Sequence, residues 1–218
     1  ANIIGAKTTG SRLSPGNSLP NNDITPMTNR RREKMLSVLR HRQPDLTVVM
    51  ENIHDPHNVS AMLRSADAVG VLEVQLVYDK EKFPRLGKKS SASASKWIRR
   101  RPYKGIKDCY DALHMEGFRI YATHLGTKSA SLYDLDLSAK VALVFGNEHR
   151  GVSAEASELA DGNFQIPMMG MIQSLNVSVA CAVTLYEAFR QRSLAGKYRK
   201  RQLARNPMQA LFDEWTKK

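Results

Sequence analysis

LTVVMENIHDPHNVSAMLRSADAVGVLEVQLVY, residues 46–78, reads as strand, helix and strand in immediate succession. Leu46–Met50 is a continuous apolar run, the pattern of a strand buried on both faces. Pro56 forces an extended or turn conformation before the helix, and Asn58 is placed to cap it. Val59, Met62, Leu63, Ala66 and Val69 then fall on one face at helical spacing, with Gly70 at the end. Arg64 projects from the opposite face. Glu73–Tyr78 is the second strand.

The same alternation continues outward. Residues 105–116 read as a helix ending at Gly117, and Phe118–Thr123 (FRIYAT) and Lys140–Phe145 (KVALVF) read as strands. Ser153–Ala160 follows as a helix, Phe164–Ile166 as a short strand, and Ser174–Arg192 as the longest helix. Strands alternating with helices through short connections predict an α/β fold, a mostly parallel sheet with helices on both faces. On the N-terminal side Thr28 caps a helix whose apolar stripe is Met35, Leu36 and Leu39; the far end holds a short helix with Phe212 and Trp215. The expected organisation is a leader over 1–26, a basic helix over 27–45, the main domain over 46–193 and a basic tail over 194–218. The leader is rich in Gly, Ser, Thr, Asn and Pro without helical or strand period, so it is expected to be disordered or an appended segment, with Met27 as the native start.

With 218 residues the chain suits one α/β domain with appendages. Two cysteines, Cys109 and Cys181, and no CxxC support neither a disulfide framework nor a zinc site, and fit a reducing cytoplasm. No stretch approaches the ~20 apolar residues of a membrane span, and no signal-peptide core opens the chain. The formal charge of +12 points to a polyanionic partner, and lipid is the weaker choice because the basic clusters lack a Trp/Phe/Leu-rich amphipathic face. The charge is concentrated. Residues 80–107 carry eleven Lys/Arg against one Glu, and residues 190–218 carry nine against two acids. The expected phosphate contacts are Arg30, Arg31, Arg32, Arg40 and Arg42 near the start, Lys88, Lys89, Arg99 and Arg100 in the middle, and Arg199 and Arg201 in the tail.

Several chemistries drop out. There is no GxGxxG after the first strand, no GxxxxGK[ST] loop, and no HExxH, GxSxG or paired-Cys deaminase motif. His54 and His57 lack further metal-ligand partners nearby, so HDPH reads as a turn before a helix and no metal is expected. Three segments remain, each at the C-terminal end of a predicted strand, where open α/β sheets bind ligands. The first is residues 52–71, with Asn58 and Arg64. The second is LVFGNEHRGVS, 143–153, in which Gly146 lets a ligand approach the backbone and Glu148 is an acceptor for a cation or hydroxyl. The third is QIPMMGMIQSLNVSVACAV, 165–183, leading into a helix apolar on so many faces that it is buried in a core or against a second subunit.

Taken together and in order, these segments resemble the SpoU/TrmH branch of the SPOUT methyltransferases. The carrying motifs are Asn58-Val-Ser-Ala61 with Arg64, Gly146-Asn-Glu148 with Gly151, and Ile166-Pro167-Met168, Gly170 and Ser174-Leu175-Asn176-Val177-Ser178, over about residues 30–193. Within that branch, residues 42–71 are similar to the tRNA (guanosine-18) 2′-O-methyltransferases.

The resemblance implies a deep trefoil knot in the C-terminal third, S-adenosylmethionine as methyl donor, and transfer of its methyl to a ribose 2′-hydroxyl of tRNA. It places the backbone near Thr123–Leu125, Gly146, Ile166 and Leu175 on the cofactor; Ile166, Met168 and Leu175 suit an apolar adenine slot. It makes Arg64 the central catalytic residue, acting across a homodimer, with Asn58, Glu148, Ser174 and Asn176 ordering the site. A guanidinium of pKa above ~12 is a poor base, so a phosphate clamp is the preferred role for Arg64. Two other functions compete. Methylation of ribosomal RNA goes with relatives bearing a separate N-terminal RNA-binding domain, for which residues 1–45 are too few. A non-catalytic RNA-binding platform would lack Arg64, Glu148 or Asn176, and all three are present.

Overall fold

The computed structural model describes residues 27–86 and 94–218. The expected leader over 1–26 and the expected RNA contacts Lys88 and Lys89 lie outside the described residues. Residues 46–78 form β1 (Leu46–Glu51), α2 (Pro56–Ala68) and β2 (Glu73–Val77), with β1 and β2 parallel. Gly70 ends α2 with φ +85, and a Cβ there would meet the His41 carbonyl oxygen at 2.6 Å, so no other residue fits that turn.

Five further strands complete one sheet: β3 (Arg99–Tyr103), β4 (Arg119–Thr123), β5 (Ala130–Ser131), β6 (Val141–Phe145) and β7 (Gly162–Gln165). Their order is β3-β2-β1-β6-β4-β7-β5 and every pairing is parallel. Side chains alternate across the sheet as the pleat requires. Val48, Met50, Val141, Leu143 and Phe145 enter one core, shared with α2 and with Cys181, Leu185 and Ala188 of α6 (Val177–Leu194). Val49, Ala142, Val144, Ile120 and Ala122 enter the other, under α4 (Ile106–Met115) and α5 (Ala154–Leu159). Apolar residues on both faces explain why the central strands read as unbroken hydrophobic runs. No helix among the described residues is long and apolar enough to cross a membrane.

Outside the sheet, α1 (Asn29–Arg40) and α7 (Arg205–Thr216) pack together through Met35, Leu39, Leu211, Phe212 and Trp215, with Trp97 of the short α3 (Ala94–Trp97) at the edge. Thr28 caps α1 as expected, its Oγ1 accepting from the Arg31 N–H at 3.3 Å. Arg42, expected to face RNA, is instead fully buried. Its guanidinium donates to Asp67 Oδ1 (2.6 Å), the Val71 carbonyl (2.8 Å) and the Trp97 carbonyl (3.3 Å), and lies over the Trp215 ring. A charge this deep needs such partners, and having them it cannot also meet a phosphate. Arg192 is the second fully buried cation. It donates to Asp45, Gln43 and three backbone carbonyls and fixes the end of α6 to the start of β1. Burial raises the Asp45 carboxyl, but Lys197 and Arg192 outweigh it and hold Asp45 below its ordinary value.

Candidate functional site

The C-terminal ends of β4, β6 and β7 open into one cavity of about 580 Å³. Its walls bring together Thr123, Leu125, Gly146, Ile166, Met168 and Leu175, all six of the residues expected to face a cofactor, and also Glu148, Ser174 and Asn176. Phe145 and Phe164 pack edge to face at 6.4 Å on its inner side. Segments more than forty positions apart in sequence meet because β6 lies beside β4, which also pairs with β7.

Two local devices shape the floor. Gly146 follows β6 directly, and the chain then turns back through an Asn147–Gly151 bridge, Gly151 having φ +69. A Cβ on Gly146 would collide with the backbone of Gly151 and Val152. The glycine is therefore required by the chain's own close approach, a different reason from the ligand approach expected of it. Thr123 Oγ1 donates to the Val144 carbonyl (3.0 Å) and the His124 N–H to the Phe164 carbonyl (3.0 Å), tying β4 to both neighbours at the rim.

Glu148 faces the turn before α2. Its carboxylate accepts from the His54 N–H (3.2 Å), the Asp55 N–H (3.1 Å) and Asn58 Nδ2 (3.0 Å). Burial pushes this carboxyl up, but those hydrogen bonds outweigh it and hold it below the ordinary glutamate value. So Glu148 joins the second motif to the first as an anion, where the sequence suggested an acceptor for a cation or hydroxyl. Asn58 is buried and belongs to this join. The cap of α2 is Asp55, whose Oδ1 accepts from the His57 N–H at 2.8 Å, so the capping role expected of Asn58 is corrected. Pro56 at the first helical position makes room for that assignment, since it has no N–H to satisfy.

Two residues with no expected role complete the join. Asn52 adopts φ +52; its side chain donates to Asp79 (2.6 Å) and accepts from the Lys80 and Glu81 N–H groups, and its carbonyl accepts from Asn147 Nδ2 (2.9 Å). Asn147 Oδ1 accepts in turn from the N–H groups of His149 and Arg150. An asparagine at the end of a buried strand, a residue type that tolerates the left-handed region, was the available signal.

Ser174 is exposed at the rim. Asn176 is the cap of α6, its Oδ1 accepting from the Ser178 N–H (2.8 Å) and hydroxyl (2.6 Å). Arg64 stands apart. It is exposed on the face of α2 opposite the buried stripe and does not line this cavity. Of the expected RNA contacts, Arg30, Arg31, Arg32, Arg40, Arg100, Arg199 and Arg201 are exposed, and Arg99 pairs with Glu214 at 3.0 Å while remaining half exposed. Among the described residues no group of three or more His, Cys, Asp or Glu could hold a metal ion.

Comparison with known proteins adds four likenesses. The SpoU rRNA Methylase family matches residues 45–186. The tRNA (guanosine(18)-2′-O)-methyltransferase of Thermus thermophilus is 45% identical over 191 residues, 88% of this chain and 98% of that protein. Among solved structures, the Aquifex aeolicus TrmH/SpoU tRNA modifying enzyme superposes with a TM-score of 0.82 at 36% identity, over 86% of this chain and 95% of that one. The methyltransferase AviRb from Streptomyces viridochromogenes, in complex with the cofactor AdoMet, gives 0.64 at 25% identity, over 72% and 64%.

Proposed function

The chain belongs to the SpoU rRNA Methylase family, and from that premise we propose that it methylates the ribose 2′-hydroxyl of guanosine-18 in tRNA, using S-adenosylmethionine. The observation that carries this reading is the convergence of all three motif segments on one cavity and its brace, from the Asn58–Glu148 hydrogen bond to the Asn176 cap. The relative with that activity also aligns over nearly its whole length.

The residues present fit the cofactor. A volume of about 580 Å³ lies within the roughly 300–1,000 Å³ usual for small-molecule sites. Ile166, Met168 and Leu175 supply apolar walls for an adenine, and the backbone beside Thr123–Leu125 and Gly146 supplies hydrogen-bonding groups. S-adenosylmethionine bound there supplies an electrophilic methyl group on a sulfonium centre. The protein's own work is to bring a ribose hydroxyl in line with that methyl, so positioning carries much of the catalysis. In our reading Arg64 clamps the phosphate next to the target ribose and lowers the pKa of the hydroxyl electrostatically. Glu148 and Asn58 fix the turn at the start of the Arg64 helix, while Ser174 and Asn176 shape the rim.

Because Arg64 is exposed and outside its own chain's cavity, the reading requires a homodimer in which Arg64 of one subunit serves the cavity of the other. Support comes from α6, which leaves Val179, Tyr186 and Phe189 exposed at 46%, 54% and 37%, and from Met169, Met171 and Ile172 on the loop before it. We further propose that the chain from β4 to α6 is threaded as a deep trefoil knot. In support, β6 inserts between β1 and β4, and after β7 the chain returns across the sheet to pack α6 on α2. The basic flanks over 27–45 and 194–218 extend the 46–193 domain toward tRNA, and the reading places the protein in the cytoplasm with that substrate.

Incubation with methyl-labelled S-adenosylmethionine and either tRNA or ribosomal RNA tests the assignment. Label is expected in tRNA only. Label in ribosomal RNA alone would transfer the reading to the other substrate class, and label in neither would leave an RNA-binding platform.

A further inference from the structure

A second cavity, of about 440 Å³, lies between α1, α2, α3 and α7. Met35, Val38, Trp97 and Trp215 form apolar walls, and Arg30, Arg31 and Lys34 stand exposed at its edge. The two indoles meet edge to face with centroids 5.0 Å apart. Behind them the buried Arg42 guanidinium lies 5.3 Å from the Trp215 ring and holds Asp67 at 2.6 Å. Asp67 also reaches the cavity, with its side chain 31% exposed.

We propose that this cavity binds an unpaired base of the RNA substrate. The inference rests on the reading of RNA as substrate and adds a binding site distinct from the methyl-transfer cavity. Each part of the pocket matches a part of a nucleotide. The half-buried Trp97 indole, backed by the buried Trp215, offers a surface for base stacking, which favours any base because all have a π-face. Arg30, Arg31 and Lys34 suit the adjoining phosphates, and the Asp67 carboxylate is an acceptor for base N–H or amino donors. An apolar slot rimmed by three cations has the wrong balance for an acidic peptide without aromatic groups and the right one for a stacked base beside a phosphate.

The position gives the site a purpose. Asp67 is three residues after Arg64 on α2, so the two share a helix face about one turn, roughly 4.5 Å, apart along the axis. A base seated against Asp67 holds the RNA backbone next to Arg64. The pocket thereby anchors a nucleotide near the target and registers the target ribose for the clamp.

Trp97 and Trp215 are the chain's only two tryptophans, so intrinsic fluorescence reports on this pocket. The experiment titrates the full chain, without cofactor, with a short single-stranded RNA and separately with inorganic polyphosphate of equal charge. Saturable quenching by RNA and none by polyphosphate is expected. No quenching by RNA, or equal quenching by both, overturns the proposal, and it does so without touching methyl transfer to tRNA, which is read in a separate assay. Trp97→Ala, at the partly exposed edge of the pair, should weaken binding of that RNA by about 5- to 100-fold, the scale of one lost base–aromatic stack. Unchanged affinity in a folded Trp97→Ala chain would also overturn it. Should that variant fail to fold, the wild-type titration decides alone.

Discussion

Arg64 and Glu148 are both charged, one standing on α2 and the other bracing its first turn, and they differ in what holds them. Glu148 has three hydrogen bonds to the turn that launches the helix, whereas Arg64 is exposed. Replacement of Arg64 by Ala should therefore leave the melting temperature unchanged and lower turnover by roughly 100-fold or more, the scale of a lost transition-state electrostatic contact. Cofactor affinity, measured by calorimetry, should stay at the wild-type value. Arg64→Lys keeps the charge without the planar fork and should recover only part of the rate. A full rate in Arg64→Ala would remove the residue from the mechanism. Glu148→Gln should behave differently, since a neutral amide weakens hydrogen bonds worth about 1 kcal/mol at a partly exposed position, so melting falls by a few degrees together with activity. Unchanged melting would show that the brace is not structural. At this scale the sequence was only partly legible. Gly146, Ile166 and Asn176, which line the cavity, were visible because their motifs keep order and spacing, whereas Arg64 lies outside it and its role is the proposal. Arg42 misled because one more arginine in a basic run carries no sign of the Asp67 and carbonyl partners that bury it.

The elements most readable in advance were those with an unbroken buried face. β1, β6 and α2 appear as apolar runs or stripes because their environment is uniform along their length. β3, RRRPY, was missed because it is an edge strand whose side chains are exposed or half-buried, so neither period nor hydrophobicity marks it. Its only signal is backbone pairing with β2, which depends on residues distant in sequence. α6 is the opposite case. Its unusually even apolarity pointed to a second partner surface, and the fold leaves Val179 and Tyr186 exposed seven residues apart on one face. Tyr186→Glu should place a charge in the proposed dimer contact, shifting sedimentation toward monomer and abolishing turnover together. A dimer that survives with full activity would move the contact elsewhere.

Across the whole molecule, charge governs two bulk properties. The net charge of +12 predicts RNA binding that falls steeply with salt, each neutralised phosphate adding about −0.7 to −0.9 to the slope of log affinity on log salt; a flat response would reject phosphate contacts. Glu148, Asp45, Asp161 and Glu187 are held below their ordinary values in the folded chain. Groups depressed on folding contribute stability that is complete above their unfolded values near pH 4 and is lost as pH falls through the folded ones. Thermal melts should thus be level from about pH 5 to 7 and drop sharply below about pH 4, and melts level down to pH 3 would contradict the assigned carboxylates. The shared site is tested by mixing inactive Arg64→Ala and Asn176→Ala subunits, which should regain one working site per mixed dimer; activity no higher than either parent would exclude sharing. The most direct test is mass spectrometry of unmodified tRNA after incubation with the chain and labelled S-adenosylmethionine. One labelled 2′-O-methylguanosine is expected, at position 18. Label on a base, on another nucleotide, or absent altogether would contradict it.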